Sequence, residues 1–169
     1  MVAFQTQTPQ VDQLKATLTP LQYKVTQEKF TEKPRTGRFD EFHESGTYSC
    51  VVCREELFTS DLKYESGCGW PAFFDSINKS KIAIERDYQL IGDDLELLKR
   101  KPHLVRNEIL CAKCRAHLGH IFEDGPQPTR KRYCVNSASL VFKPLNSLDE
   151  ISDDGTEEPD RDIDVCCRD

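Results

Sequence analysis

Apolar positions near the start of the chain fall three and four apart, at Val11, Leu14, Leu18 and Leu21, and that spacing predicts a short helix with Pro20 near a boundary. From Thr47 the pattern changes to short segments rich in Val, Tyr, Phe and Ile. These are cut by Gly67, Gly69, Pro71, Gly119, Gly125, Pro126 and Pro128, a texture that predicts short strands joined by turns. The strand candidates further along are residues 82–86, 103–110, 131–135 and 139–142, which together predict a mainly β domain of antiparallel strands with few helices. Residues 93–101 depart from this, with acids first and bases last, an order that suits the helix dipole and predicts a short helical excursion.

The 169 residues suffice for one domain with a core and are too few for two ordinary ones. No run of about 18 apolar residues occurs, which excludes a membrane-spanning helix. The first 20 residues lack a basic stretch ahead of an apolar one and contain no arginine, so neither a secretory signal nor a transit peptide is read and a cytoplasmic protein is expected. The net charge of -6 belongs to residues 153–169, where eight acids face two arginines; the body is balanced. With no basic stripe the body offers no footprint for nucleic acid. The tail from residue 149 is too poor in apolar residues to offset its ordering entropy, and disorder is expected there.

Eight cysteines in a chain without an export signal point to metal binding or redox chemistry rather than a disulfide scaffold. Cys50-Val-Val-Cys53 and Cys111-Ala-Lys-Cys114 are two knuckles, each able to aim two thiols at one ion, and together they make a tetrahedral sulfur set for which structural zinc is the expected metal. The long separation between them means that the fold must bring them together, so the zinc would be a staple across the domain. Iron in the same geometry, a redox pair, or four unrelated thiols are the other readings. Four thiolates close a metal's shell, which puts the chemistry elsewhere.

Cys68 and Cys134 remain in the body. Arg130, Lys131 and Arg132 precede Cys134, and positive charge beside a thiol lowers its pKa; in a strand Arg132 and Cys134 would share a face. His117 and His120 follow the second knuckle, so a metal-anchored loop could hold two imidazoles for proton transfer. Trp70, the single tryptophan, lies in a sharp turn between Gly69 and Pro71 and reads equally well as a core anchor or a site residue.

Ser66-Gly-Cys-Gly-Trp-Pro71, His117-Leu-Gly-His120 with Phe122 and Asp124-Gly-Pro126, and Arg132-Tyr-Cys-Val-Asn-Ser137 occur in one order, with Thr31-Glu-Lys-Pro34 upstream. In these motifs the chain resembles the B-type methionine-R-sulfoxide reductases, in their zinc-bearing form. The resemblance implies two antiparallel sheets in a partly open barrel or tent, short N-terminal helices and one structural zinc ion. It implies a reductase domain over residues 21–148, after an extension over 1–20 and before the acidic tail 149–169. The implied activity is reduction of the R epimer of methionine sulfoxide, free or in proteins.

Cys134 would attack the sulfoxide sulfur and be left as a sulfenic acid, and Cys68 would resolve it as a disulfide for thioredoxin to reopen. His117 and His120, with Asn136 through a water, would protonate the departing oxygen, and Arg132 would favour the thiolate. Trp70 and Phe122 would hold the methyl group. Cys50, Cys53, Cys111 and Cys114 would be the metal ligands, and a monomer is expected. Residues 93–103 look like an insertion relative to short bacterial members, and the vicinal Cys166 and Cys167 read as exposed thiols or a relay. A zinc-stapled binding module and a peroxide-sensing thiol pair are the competing readings.

Overall fold

Aromatic side chains from two sheets meet in one core. Phe58 and Phe73 stack with ring centroids 4.3 Å apart, and Tyr48 meets Phe73 edge-on at 5.2 Å. The computed structural model describes residues 11–145, and the acidic tail with Cys166 and Cys167 lies outside the described residues, as do residues 1–10. In chain order the elements are α1 (Val11–Thr17), α2 (Pro20–Glu28), β1 (Gly46–Cys50), β2 (Glu56–Thr59), β3 (Lys63–Tyr64), β4 (Ala72–Phe73), β5 (Ile82–Asp87), α3 (Leu95–Arg100), β6 (Arg106–Cys111), β7 (His117–Phe122), β8 (Arg132–Val135) and β9 (Leu140–Pro144). One sheet has the order β2-β1-β9 and the other β3-β4-β8-β7-β6-β5, and all pairings are antiparallel. The mainly β, two-sheet expectation is met.

The single N-terminal helix expected from residues 11, 14, 18 and 21 is two. Thr19 interrupts it as a helix cap: its hydroxyl accepts the Gln22 N–H at 3.2 Å while the Gln22 side chain accepts the Thr19 N–H at 2.9 Å. Pro20, with no N–H to satisfy, occupies the first helical position. Leu14 and Leu18 pack against Val51, whereas Leu21 is exposed. The predicted excursion at 93–101 is α3, capped by the Asp94 carboxylate on the Leu97 N–H at 2.8 Å. The candidate strand 103–110 begins later, at Arg106, because Pro102 starts a 3-10 turn over Pro102–Leu104. No helix among the described residues is long and apolar enough to cross a membrane.

Residues 29–45 carry little regular structure, and one buried carboxylate fixes their path. Glu32 accepts the N–H groups of Ser137 at 2.6 Å and Ala138 at 3.0 Å, at the turn between β8 and β9. Its own N–H goes to Asn136 Oδ1 at 3.1 Å. Its carbonyl accepts the Trp70 indole N–H at 3.0 Å. Burial pushes the Glu32 carboxyl up, against the backbone N–H groups that hold it down. Glu32→Ala would leave two buried N–H groups unpaired and should lower the free energy of unfolding in urea by about 3 kcal/mol, whereas Glu44→Ala, on the surface, should change it by less than about 0.5 kcal/mol.

Candidate active site and metal centre

The two knuckles are built alike. Cys50 ends β1, and its N–H returns to the Glu55 carbonyl at 2.8 Å while the Arg54 N–H reaches the Cys50 carbonyl at 2.9 Å. In the second, Cys111 ends β6, its N–H bonds the Ala116 carbonyl at 2.9 Å, and the Arg115 N–H bonds the Cys111 carbonyl at 2.8 Å. Arg54 and Arg115 both take the left-handed conformation, with φ 61° and 64°, and this closes each turn tightly enough to point two sulfurs one way. The four sulfurs lie within 4.8 Å of one another, with Cys50–Cys114 at 3.6 Å and Cys53–Cys111 at 3.5 Å. An ion with sulfur ligands at about 2.3 Å sets its sulfurs about 3.8 Å apart. Four thiolates this close repel one another without a cation among them. In both geometry and charge the set fits a metal ion, and the fold brings it together from the two sheets.

Expected on a loop, His117 and His120 instead lie on β7, between β6 and β8, and both are buried. Residues three apart face opposite ways on a regular strand. Here the register shifts: Ile109 pairs with Gly119 but Leu110 with His117, so Leu118 is an extra residue on β7. The imidazoles end with centroids 5.5 Å apart. His117 Nδ1 meets Glu108 Oε2 at 3.1 Å, and His120 Nε2 meets Asp87 Oδ2 at 2.8 Å. Each carboxylate also holds a cation: Lys29 is 2.5 Å from Glu108 and Arg106 is 2.7 Å from Asp87.

Burial, and then the neighbouring His120, bring His117 down to about 4; burial also lowers His120. Asp87 is drawn down to about 2, against its burial, by the Gln89 N–H, His120 and Arg106. Both imidazoles are therefore neutral near pH 7. Each gives a proton to its carboxylate and keeps one bare nitrogen. For His117 that nitrogen, Nε2, is buried with no partner among the described residues.

Cys134 is directly across from His120 in the β7–β8 ladder and from Ala72 in the β4–β8 ladder. The approach is close enough that a Cβ on Gly119 would meet the Cys134 carbonyl at 2.0 Å. Cys68 reaches the same point from the turn before β4. There Gly69, at φ 90°, leaves room for Pro34 and gives its carbonyl to the Arg35 N–H at 2.7 Å. The two sulfurs are 3.7 Å apart, and the Ser66 hydroxyl donates to Cys68 at 3.0 Å. The hydrogen bond between them, then burial, pushes the Cys134 thiol up; the same bond, against burial and helped by Ser66, draws Cys68 down to about 5. Arg132 acts to lower Cys134, as expected from its place in the sequence, but the bond to Cys68 and burial outweigh it. Arg132 does share a strand face with Cys134, but its guanidinium makes two 2.8 Å bonds to Asp124 and lies 4.3 Å over the Phe122 ring, while Lys131 pairs with Glu123.

Between these parts is a cavity of about 80 Å³ lined by Thr31, Trp70, Arg106, Gly119, His120, Phe122, Cys134 and Asn136. Trp70 belongs to this wall and not to the core cluster. Asn136 uses its amide on the backbone, its Oδ1 accepting from the Glu32 N–H and its Nδ2 donating to the Leu118 carbonyl at 3.0 Å, which leaves one N–H without a partner among the described residues. A larger groove of about 540 Å³ runs beside α2 and β9 and holds none of these groups. Of the residues singled out in the sequence, Trp70, His120, Phe122, Cys134 and Asn136 line the cavity, Cys68 and His117 back it, and Arg132 flanks it. Sequence reasoning missed Lys29, Glu32, Asp87, Arg106 and Glu108. Glu108, next to the apolar run 109–111 of β6, was the available signal; Asp87 closes the charged end of β5 and offered none.

A half-buried thiol pair, two carboxylate-held imidazoles and a four-sulfur set that fits a metal ion thus meet on a two-sheet β fold. Residues 18–144 match the SelR domain family, and the chain belongs to it. It is 53% identical over 131 residues to methionine-R-sulfoxide reductase B1 of Drosophila melanogaster, covering 78% of this chain and 63% of that protein. To the peptide methionine sulfoxide reductase MsrB of Hahella chejuensis it is 54% identical over 125 residues, 74% of this chain and 81% of that one. The MsrB of Acinetobacter baumannii is 50% identical over 133 residues, 79% and 87% of the two chains. The chain thus spans less than two thirds of the fly protein and most of each bacterial one.

Between about pH 6.5, where an unfolded histidine takes its proton, and about 4, where His117 does, the unfolded chain binds more protons, so stability falls as pH falls. Urea unfolding at pH 5 should give a free energy about 2 kcal/mol below that at pH 7 from this group, and His117→Gln should flatten the slope by that amount.

Proposed function

We propose that the chain reduces the R epimer of methionine sulfoxide, in proteins or free, to methionine, using residues 21–148 as the reductase domain. The observation that carries this is the placement of Cys134 opposite His120, with Cys68 in contact, at a cavity sized for a side-chain tip and walled by Trp70 and Phe122. Family membership and the relatives' names support it.

The proton state of the site suggests how the reaction starts. Cys134 holds its proton and His120 is neutral, so His120 takes that proton as the sulfur attacks the sulfoxide sulfur, and passes it to the sulfoxide oxygen as imidazolium. The free N–H of Asn136 is available to the same oxygen. The protonated oxygen passes from the substrate sulfur to the Cys134 sulfur, the bond between the two sulfurs breaks, and methionine leaves with Cys134 as a sulfenic acid. The charge of Arg132 lies beside the thiol pair and favours its thiolate. Cys68, already the more acidic thiol, then attacks Cys134. A disulfide forms and the oxygen leaves as water. A dithiol of thioredoxin type supplies the two electrons and two protons that reopen it.

The ion we assign to Cys50, Cys53, Cys111 and Cys114 is zinc, since four closely packed thiolates without an open position suit it. When bound, it supplies structure and no chemistry. One zinc per chain is expected by elemental mass spectrometry, and removing it with a chelator should abolish the cooperative melting transition, because a closed site's binding energy is folding energy. Metal-free protein with an unchanged melting curve would contradict the staple.

The activity is tested with dithiothreitol and with thioredoxin and its reductase as alternative donors. Cys134→Ser should reduce turnover at least 1000-fold with either. Cys68→Ser should still release one methionine per chain but lose thioredoxin-dependent turnover. Turnover by Cys134→Ser would overturn the assignment, and retention of a bound sulfoxide without product would favour a binding module.

A further inference from the structure

Lys29 follows α2 in a left-handed cap, at φ 56° with its N–H on the Lys24 carbonyl. From this cap its ammonium crosses to Glu108, 79 residues away in sequence. Glu108 is 1% exposed, and among the described residues Lys29 is the one lysine or arginine paired with it. The other Glu108 oxygen takes His117 Nδ1. Other charged and titratable groups facing this point are Arg106, beside Glu108 on β6, Asp87 from β5, His120 on β7 itself and Cys134 from β8. Asp87 already has Arg106 as its cation, so each imidazole backs onto a neutralised carboxylate. The two rings differ in position: His120 lines the cavity and His117 does not.

We infer that Lys29 is a positioning residue for the proposed reaction: by neutralising Glu108 it keeps His117 uncharged, with its proton on Nδ1, and so leaves the travelling proton to His120, the ring across from Cys134. This rests on the reductase reading. Without Lys29, the buried Glu108 carboxylate has only an imidazole to balance it, and the proton that balances it resides on His117. A charged His117 with its centroid 5.5 Å from that of His120 opposes the imidazolium that His120 must become. The neighbours of His117 act in the same directions: Glu108 favours its charged form and Lys29 opposes it. The Lys29 side chain is half exposed, so it can be changed without opening a hole in the core.

The test uses the metal-loaded full chain and the variants Lys29→Gln, Lys29→Arg, Glu108→Gln and Lys29→Gln with Glu108→Gln. Imidazole titrations by NMR are compared with the pH profile of dithiothreitol-supported reduction of R-methionine sulfoxide. In Lys29→Gln both the His117 titration and the acid limb of kcat should move up by about one pH unit, with KM unchanged. Lys29→Arg should restore both. In the Glu108→Gln background the Lys29 change should have no further effect.

A Lys29→Gln chain whose His117 titration and acid limb stay in place, with at most a lower melting temperature, would overturn the role. No turnover by the wild-type chain would remove the reductase reading and this role with it. That failure is distinguishable, because the NMR shift in Lys29→Gln would still appear.

Discussion

Two turns that belong to different sheets end with their sulfurs in one small volume, and the rest of the molecule is organised around that meeting. Cys50 and Cys53 close the turn after β1 in the three-stranded sheet; Cys111 and Cys114 close the turn between β6 and β7 in the six-stranded one. Four thiolates can stay that close only around a cation, so with the proposed ion bound the tie between the sheets and the binding of the metal are the same event. Glu55 reinforces it by pairing with Lys81 and, across the two turns, with Lys113. The second turn leads straight into β7. Its register is therefore set at one end by the sulfur cluster, and the bulge at Leu118 converts that register into two adjacent imidazoles.

The chemistry follows from burial as much as from proximity. Burial keeps the histidines neutral, and the bond to Cys68 together with burial pushes the Cys134 thiol up; in the proposed reaction such a neutral thiol–imidazole pair carries a proton from sulfur to a departing oxygen. The buried ion pairs Lys29–Glu108 and Arg106–Asp87 fix the tautomers that make the bare nitrogens available. On the opposite wall Glu32 joins the N-terminal segment, the indole of Trp70 and the turn after β8 through its side chain, N–H and carbonyl. The two imidazoles, their carboxylates, Arg106 and Cys134 stand on strands of one sheet, which gives that wall of the site the rigidity of a sheet.

Much of this was legible in the residues. The paired Cys-x-x-Cys spacing named the four sulfurs that come together, and the motifs around Cys68, His117 and Cys134 named groups that meet at the cavity. Their common place in space was not legible, because the strands that create it are short: β3 and β4 have two residues each, too few to show alternation. β7 hid for another reason. It is buried along nearly its whole length and reads His-Leu-Gly-His-Ile-Phe, with no period of two. Glu108 and Lys29 could not be paired from sequence at all, since only the packing of α2 against β7 brings them together.

In the proposed reaction Cys134 alone takes one oxygen from one epimer. Reduced, metal-loaded protein is mixed with excess racemic methionine sulfoxide and no external reductant, and the methionine released and the sulfoxide epimers left are measured by chiral chromatography. One methionine per chain is expected, all of it lost from the R epimer. Loss of the S epimer, or no methionine from folded, metal-loaded chain, would contradict it.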